Sequence, residues 1–205
     1  LHEVLVQFRA ASLNYRDLIF VKGVYSPRAK LPAIPLSDGA GEVAAIGEGV
    51  TRWKVGDRVC PIFTQGWIEG QYSAEKARTS LGGGDLDGVL REYGKFNENG
   101  LVRIPDHLSF EEAATLPCAA VTAWHSLVVF GNLKSGESVL TLGTGGVSIF
   151  AVQFARMHGA RIIATSSSDE KLGRLRELGV TDTINYKTSP DWEKDVLQLT
   201  NNVGV

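Results

Sequence analysis

The chain has 205 residues, enough for one large domain or two small ones, with 43% hydrophobic residues and a formal net charge of -2. That balance gives no electrostatic basis for binding nucleic acid or an anionic membrane, and no apolar run approaches the ~18 residues of a transmembrane helix. Cys60 and Cys118 are the only cysteines, too few for a disulfide framework, which suits a reducing, cytoplasmic compartment.

Residues 3–10 (EVLVQFRA) alternate apolar and polar side chains over part of their length, the pattern of a half-buried strand. Asn14-Tyr15-Arg16-Asp17 opens a short apolar stretch ending at Gly23-Val24-Tyr25, and Pro27, Pro32 and Pro35 mark a loop. Residues 39–46 read as a strand, Gly47-Glu48-Gly49 as a turn, and Val55-Gly56-Asp57-Arg58-Val59 as a turn into another strand. Short strands with glycine punctuation predict a β-rich lobe. Residues 64–87, with Trp67, Gly70 and Gly82-Gly83-Gly84, read as an exposed excursion. Strand character returns at 88–93 and 101–104. Ser109 and Glu112 have the spacing of a capping box, and a helix pattern follows, interrupted near Pro117 and resuming over 119–129.

Residues 138–165 (SVLTLGTGGVSIFAVQFARMHGARIIAT) organise what remains. A short apolar run leads into Gly143-Thr144-Gly145-Gly146-Val147-Ser148. A helix pattern follows (Val147, Phe150, Ala151, Phe154, Ala155), then a stop at His158-Gly159-Ala160 and a second apolar run. Strand, glycine turn, helix, strand is the context that gives a glycine motif meaning. Gly143 makes the tight turn, and Gly145, with Gly146 and Val147 beside it, lets backbone N–H groups approach a pyrophosphate at the helix N-terminus. Ser148 replaces the last glycine of the usual pattern and is small enough for close packing. A plain structural turn is the alternative reading.

Ser166-Ser167-Ser168-Asp169 comes next, then a helix marked by Leu172, Leu175 and Leu178 and stopped by Gly179. Residues 183–186 read as a third strand and 191–199 as a further helix. The fold class is therefore α/β with a β-rich lobe: residues 1–105 form the lobe, and 106–205 the first half of a doubly wound parallel sheet. The chain has no initiator Met and stops where another strand is expected, so it reads as a fragment.

ASLNYRDL (11–18), GAGEVAAIGEGV (39–50), VGDRV (55–59), LPCAAVTAWHSL (116–127), LTLGTGGVSIFAVQFA (140–155) and RELGVTDTINY (176–186) follow one family's order over nearly the whole chain. The sequence resembles the medium-chain dehydrogenase/reductase superfamily, most closely its zinc-independent, quinone-oxidoreductase-like branch. The resemblance implies a GroES-like catalytic lobe followed by a Rossmann domain, with substrate in the cleft between them and a homodimer for the full-length protein. Zinc-dependent relatives place ligands where this chain has Asn14 and Ser37. Cys118 alone keeps a ligand position, and one thiol does not make the three protein ligands of a catalytic zinc. No zinc or other metal is expected, and Cys118 reads as a small buried residue.

NAD-preferring Rossmann domains end their second strand in an acidic residue that bonds the ribose 2′-OH. Here Ser166 and Ser167 stand at that point, with Lys171 one turn on. A carboxylate ~4 Å from a 2′-phosphate would cost about 4 kcal/mol at an effective dielectric of ~20. Its absence favours NADPH, although Asp169 lies near, and the serines also suit a helix cap. By resemblance, Lys171 and Tyr186 match positions contacting that phosphate, and Thr122 a position contacting the nicotinamide. Also by resemblance, Asn14 matches a cleft residue able to bond a substrate carbonyl. Tyr25 matches the proton donor of enoyl-thioester reductases, and Tyr15 a tyrosine of acrylyl-CoA-reductase-like members. Asn14 equally suits a helix cap, Thr122 a helix core, and both tyrosines simple packing. The implied activity is NADPH-dependent reduction of an enone, enoyl or quinone substrate. The alternatives are a zinc-independent alcohol or aldehyde oxidoreductase, acting on a carbonyl substrate, and a non-catalytic NADPH-binding relative.

Overall fold

The structure is a computed structural model that describes residues 1–25, 29, 31–83 and 85–205. Pro27 and Gly84, both expected in loops, lie outside the described residues. The chain forms two compact units, residues Leu1–Cys118 and Ala119–Val205. Among the described residues no helix is long and apolar enough to cross a membrane.

The first unit is built on a five-stranded antiparallel sheet in the order β4-β1-β2-β3-β5. Its strands are β1 (Glu3–Ser12), β2 (Asp38–Ile46), β3 (Arg58–Pro61), β4 (Tyr93–Asn97) and β5 (Leu101–Arg103). The alternation in β1 does what the sequence pattern implies: Val4 and Val6 are fully buried while Leu5 stays partly exposed. Val4 and Val6 meet Val43, Trp53, Val59, Leu81, Val89, Phe96 and Leu101 in the main core. Burying such a branched aliphatic side chain is worth about 1.5–3 kcal/mol each. Helix α1 (Tyr15–Val21) follows β1 and buries Phe20 and Asp17.

Two expectations are revised. Residues 88–92 are not a strand; the strand begins at Tyr93. Gly88, Val89 and Leu90 instead donate backbone bonds to Ile34, Leu36 and Pro35, an irregular loop that supports no ladder. The 64–87 excursion is anchored, not simply exposed. Leu81 belongs to the core, Thr64 and Ser80 pair, and a one-turn helix, α2 (Ala74–Ala77), is capped by Ser73. The first compact unit includes α3 (Phe110–Ala114), which packs on the sheet. Its Ala113 and Ala114 meet Ala40, Cys60 and Ile104. The Ser109–Glu112 capping box at its start is formed in both directions.

The second unit holds a parallel sheet in the order β6-β7-β8: β6 (Ser138–Leu142), β7 (Arg161–Ser166) and β8 (Asp182–Asn185). Helix α4 (Val121–Trp124) lies between wider π-helical turns, Leu116–Ala120 and His125–Phe130. Pro117, which lacks an N–H, sits in the first of them. Helix α5 (Gly146–Met157) joins β6 to β7, α6 (Asp169–Glu177) joins β7 to β8, and α7 (Trp192–Leu199) follows. Strand β7 is central and buried on both faces, which explains its unbroken apolar run. Ile162 and Ala164 pack with Val139, Val152, Leu172 and Leu175, whereas Ile163 packs with Ile184 and Val196.

Glu98 fastens the start of the first unit. Its carboxylate accepts the Thr51 and Arg52 backbone N–H groups at 2.9 and 3.0 Å and meets the His2 ring at 2.7 Å. Its backbone carbonyl accepts the Trp53 indole N–H at 2.8 Å. The two backbone donors, with His2 behind them, pull the Glu98 pKa from 4.5 down to about 2. A depressed acid stabilises the fold above its unfolded pKa and loses that contribution as pH falls through the folded one. Acid titration of the unfolding midpoint should therefore show wild type losing stability between 4.5 and about 2. Glu98→Gln should be less stable at neutral pH and lack that loss; parallel curves would contradict the assignment.

Candidate functional site

Two groups of side chains carry chemistry, one in each unit. In the first, Asn14 ends β1's connection and takes the N-cap position of α1, with extended backbone at φ -111° and ψ 153°. Asp17 returns from the first turn, and its Oδ2 accepts the Asn14 backbone N–H at 2.8 Å. Beside Asn14 lies Asp38, 1% exposed at the start of β2. Asp38 accepts the Ser37 hydroxyl at 2.9 Å and the Cys118 backbone N–H at 3.0 Å. Burial raises the Asp38 pKa, opposed by the Asn14 amide, Ser37 and Cys118, with the Asp17 charge adding to the rise. Burial likewise raises Asp17, against the Asn14 backbone bond and Arg16. The Asn14 Nδ2 atom is enclosed and makes no hydrogen bond of ordinary geometry. Among the described residues, no three His, Cys, Asp or Glu side chains gather as a metal site.

The two tyrosines fare differently. Tyr15 is 78% exposed, on the outer side of α1. Tyr25 is 46% exposed and stacks on the Arg16 guanidinium at 4.9 Å, with Phe63 on that same guanidinium at 4.7 Å. Arg16 is itself held by the Leu81 carbonyl at 2.9 Å. Arg16 was not singled out from sequence. The only available signal was its place between Tyr15 and Asp17, which says nothing of Phe63 or Leu81.

In the second unit the glycine turn joins β6 to α5 as expected. Gly143 has φ +80°, a conformation that favours glycine, and its N–H donates to the Thr165 carbonyl at 3.0 Å. Gly145 is the N-cap of α5 with φ -75° and no side-chain cap. A Cβ added there would meet no atom within 4 Å, so neither backbone strain nor the protein's own packing demands glycine. At Gly146 a Cβ would be 3.4 Å from Ala119, so the start of α5 packs close to the helical turns before α4. Val147 follows, half-exposed in the first turn, and the Ser148 hydroxyl donates to the Leu142 carbonyl at 3.2 Å. Thr122 is exposed on α4, not a core threonine.

At the end of β7, Ser166 is buried and its hydroxyl accepts the Ser168 N–H at 3.3 Å. Ser168 caps α6 by accepting the Lys171 N–H at 3.4 Å. Capping therefore falls to Ser168, with Ser166 supporting it, while Ser167 is half-buried and Lys171 exposed. Tyr186 is held beside them by its N–H to the Ser166 carbonyl at 3.1 Å. A start of α5 without a side-chain cap, open space at the Gly145 Cβ position, and hydroxyl and ammonium groups past β7 suit a dinucleotide phosphate.

Residues 1–106 match the alcohol dehydrogenase GroES-like domain family, and 146–205 match the family described as zinc-binding dehydrogenase. A zinc-type alcohol dehydrogenase-like protein of Schizosaccharomyces pombe is 50% identical over 98% of this chain and 59% of its own length. The acryloyl-coenzyme A reductase of Metallosphaera sedula is 34% identical over 96% of this chain and 60% of its own. A crystal structure of an NAD-dependent alcohol dehydrogenase superposes with TM-score 0.86 at 38% identity, covering 100% of this chain and 61% of that one. The chain thus spans about three-fifths of the length of these relatives.

The open space at Gly145 yields a discriminating substitution. Gly145→Ala should leave the fold intact at a cost of about 0.5–1 kcal/mol, since the backbone conformation suits alanine but glycine is the better N-cap. It should weaken dinucleotide binding about tenfold or more, because the new methyl stands where the pyrophosphate approaches. Thermal unfolding and a binding titration read the two effects. Unchanged binding would make the turn purely structural.

Proposed function

The chain belongs to the medium-chain dehydrogenase/reductase superfamily, and from that premise we propose that it serves an NADPH-dependent, zinc-independent reductase acting on an activated C=C bond or a quinone. The observation that carries the reading is the Asn14 amide, whose enclosed Nδ2 lacks a hydrogen bond of ordinary geometry. Leaving a buried donor unsatisfied costs about 1–3 kcal/mol, and with Asp38 beside it but not in bonding geometry the amide is free to serve a ligand acceptor. A substrate carbonyl is such an acceptor. The donor set supports a metal-free site as well: the positions that hold metal in zinc-dependent relatives offer an amide at Asn14, a hydroxyl at Ser37 and one thiol at Cys118.

NADPH, when bound, supplies the hydride that adds to the electrophilic carbon. Asn14 donates to the substrate oxygen, where negative charge develops, and so favours the enolate-like transition state over the ground state. Asp38 and Asp17 orient Asn14, the first beside its amide and the second on its backbone N–H. Tyr25 donates the proton that completes reduction, its hydroxyl acting as general acid to the enolate. The Arg16 stack fixes the orientation of that ring. Tyr15, on the exposed side of α1, is the lesser candidate for this role. Gly143, Gly145, Gly146 and Val147 receive the pyrophosphate, Ser166, Ser167, Lys171 and Tyr186 the 2′-phosphate, and Thr122 the nicotinamide.

A second reading, a zinc-independent alcohol or aldehyde oxidoreductase, draws on the alcohol dehydrogenase name of the superposed crystal structure. The reactions separate the two. NADPH oxidation should proceed with an enone or a quinone, survive a strong zinc chelator, and fall about 100-fold in kcat/KM in Asn14→Ala. The Kd for NADPH should stay within about twofold in that variant, since Asn14 acts on substrate. Chelator-resistant alcohol oxidation without enone or quinone reduction would favour the second reading. Tight NADPH binding with no turnover on any class would mark a binding protein.

A further inference from the structure

We propose that the first unit carries a binding site for a small carboxylate with an apolar body, in a cavity where the Arg91 guanidinium is the anchor. The cavity has a volume of about 470 Å³, within the size range of small-molecule sites. Pro32, Leu81, Leu86 and Phe96 form its apolar wall. Leu81 and Phe96 belong to the main core, so packing holds that part of the wall in place. Asp85, Asp87, Arg91 and Lys95 supply the charges that line it.

Three of these four charged side chains already have partners. Lys95 Nζ is 3.0 Å from Glu3 Oε1, and Asp85 Oδ2 is 3.6 Å from Arg78 Nε. Asp87 Oδ1 accepts the Ile34 backbone N–H at 3.0 Å. Arg91 is the exception. Among the described residues its side chain makes no hydrogen bond and no ion pair, not even with Asp87 in the same cavity. Its guanidinium carbon lies 5.7 Å from the centroid of the Phe96 ring, which sets the group against the apolar wall. Nε is enclosed there without a partner, while Nη1 and Nη2 remain open. Burial holds the guanidinium below the usual arginine range, and the Asp87 charge opposes that shift. Taking an arginine partly out of water without acceptors for its donors is unfavourable. A carboxylate removes that cost, because its two oxygens match the paired N–H groups of the guanidinium fork. The apolar wall beside the anchor then takes a hydrocarbon body, which a bare anion such as phosphate lacks. Asp87 stays near the incoming charge and limits the affinity.

The test titrates the full chain with hexanoate, hexanol and inorganic phosphate, following binding by calorimetry and by the NMR shifts of the Leu81, Leu86 and Phe96 side chains. Hexanoate should bind and move those resonances. Hexanol and phosphate should each bind about tenfold more weakly or less, since each lacks one half of the match. Arg91→Gln should weaken hexanoate about tenfold. Asp87→Asn keeps an oxygen for the Ile34 N–H but removes the charge, and should tighten hexanoate about threefold. If Arg91→Gln fails to fold, Asp87→Asn decides alone. Hexanoate that does not bind, or that moves only resonances elsewhere, overturns the proposal. Binding that neither variant changes overturns it as well, and so does hexanol or phosphate binding as tightly as hexanoate.

Discussion

A carboxylate with 1% exposure has to be supplied with hydrogen bonds, and the arrangement of the first unit's polar residues follows from that requirement at Asp38. Its donors are the Ser37 hydroxyl beside it and the Cys118 backbone N–H far along the chain, and the Asn14 amide lies close enough to lower its pKa as well. Each donor lowers its pKa, and burial still wins. Removing Asp38 would leave these donors without their common acceptor, the situation in which a buried polar network becomes costly. The same carboxylate also raises the thiol of Cys60, which burial pushes up to about 12, so that cysteine is an inert core residue.

The second unit is governed by a backbone constraint. Strand β7 is covered on both faces, so a ligand meets it only at its end, where β6 turns through Gly143 into α5. That turn exposes N–H groups instead of side chains, and Gly145 keeps the approach open. In the function proposed, discrimination between dinucleotides falls to Ser166, Ser167, Lys171 and Tyr186, beyond β7. That proposal assigns the shared pyrophosphate and the ribose to different loops, so a substitution should alter one without the other.

What was legible in the sequence was what depends on local periodicity. The β6–α5–β7 unit, the Ser109 capping box and the stop at Gly159 all repeat the sequence pattern, because each is set by neighbours within a few residues. Residues 88–92 misled for the opposite reason: their bonding partners are the loop residues 34–36, which no local pattern reveals. Leu81 looked like part of an exposed loop, yet it fills the core between β-strands far from it in sequence. In the candidate site, Asn14 and the glycines were visible as residue types in context. The support was not: Arg16 stands between Tyr25 and Phe63, rings that only the folded chain brings to it.

We propose that Lys171 and its neighbours past β7 receive a 2′-phosphate. The most direct test is a side-by-side fluorescence titration of wild type and Lys171→Ala with NADPH and NADH. The account requires wild type to bind NADPH more tightly than NADH, and Lys171→Ala to lose that preference while keeping its affinity for NADH. Equal or tighter binding of NADH by wild type, or a preference untouched by the substitution, would contradict it.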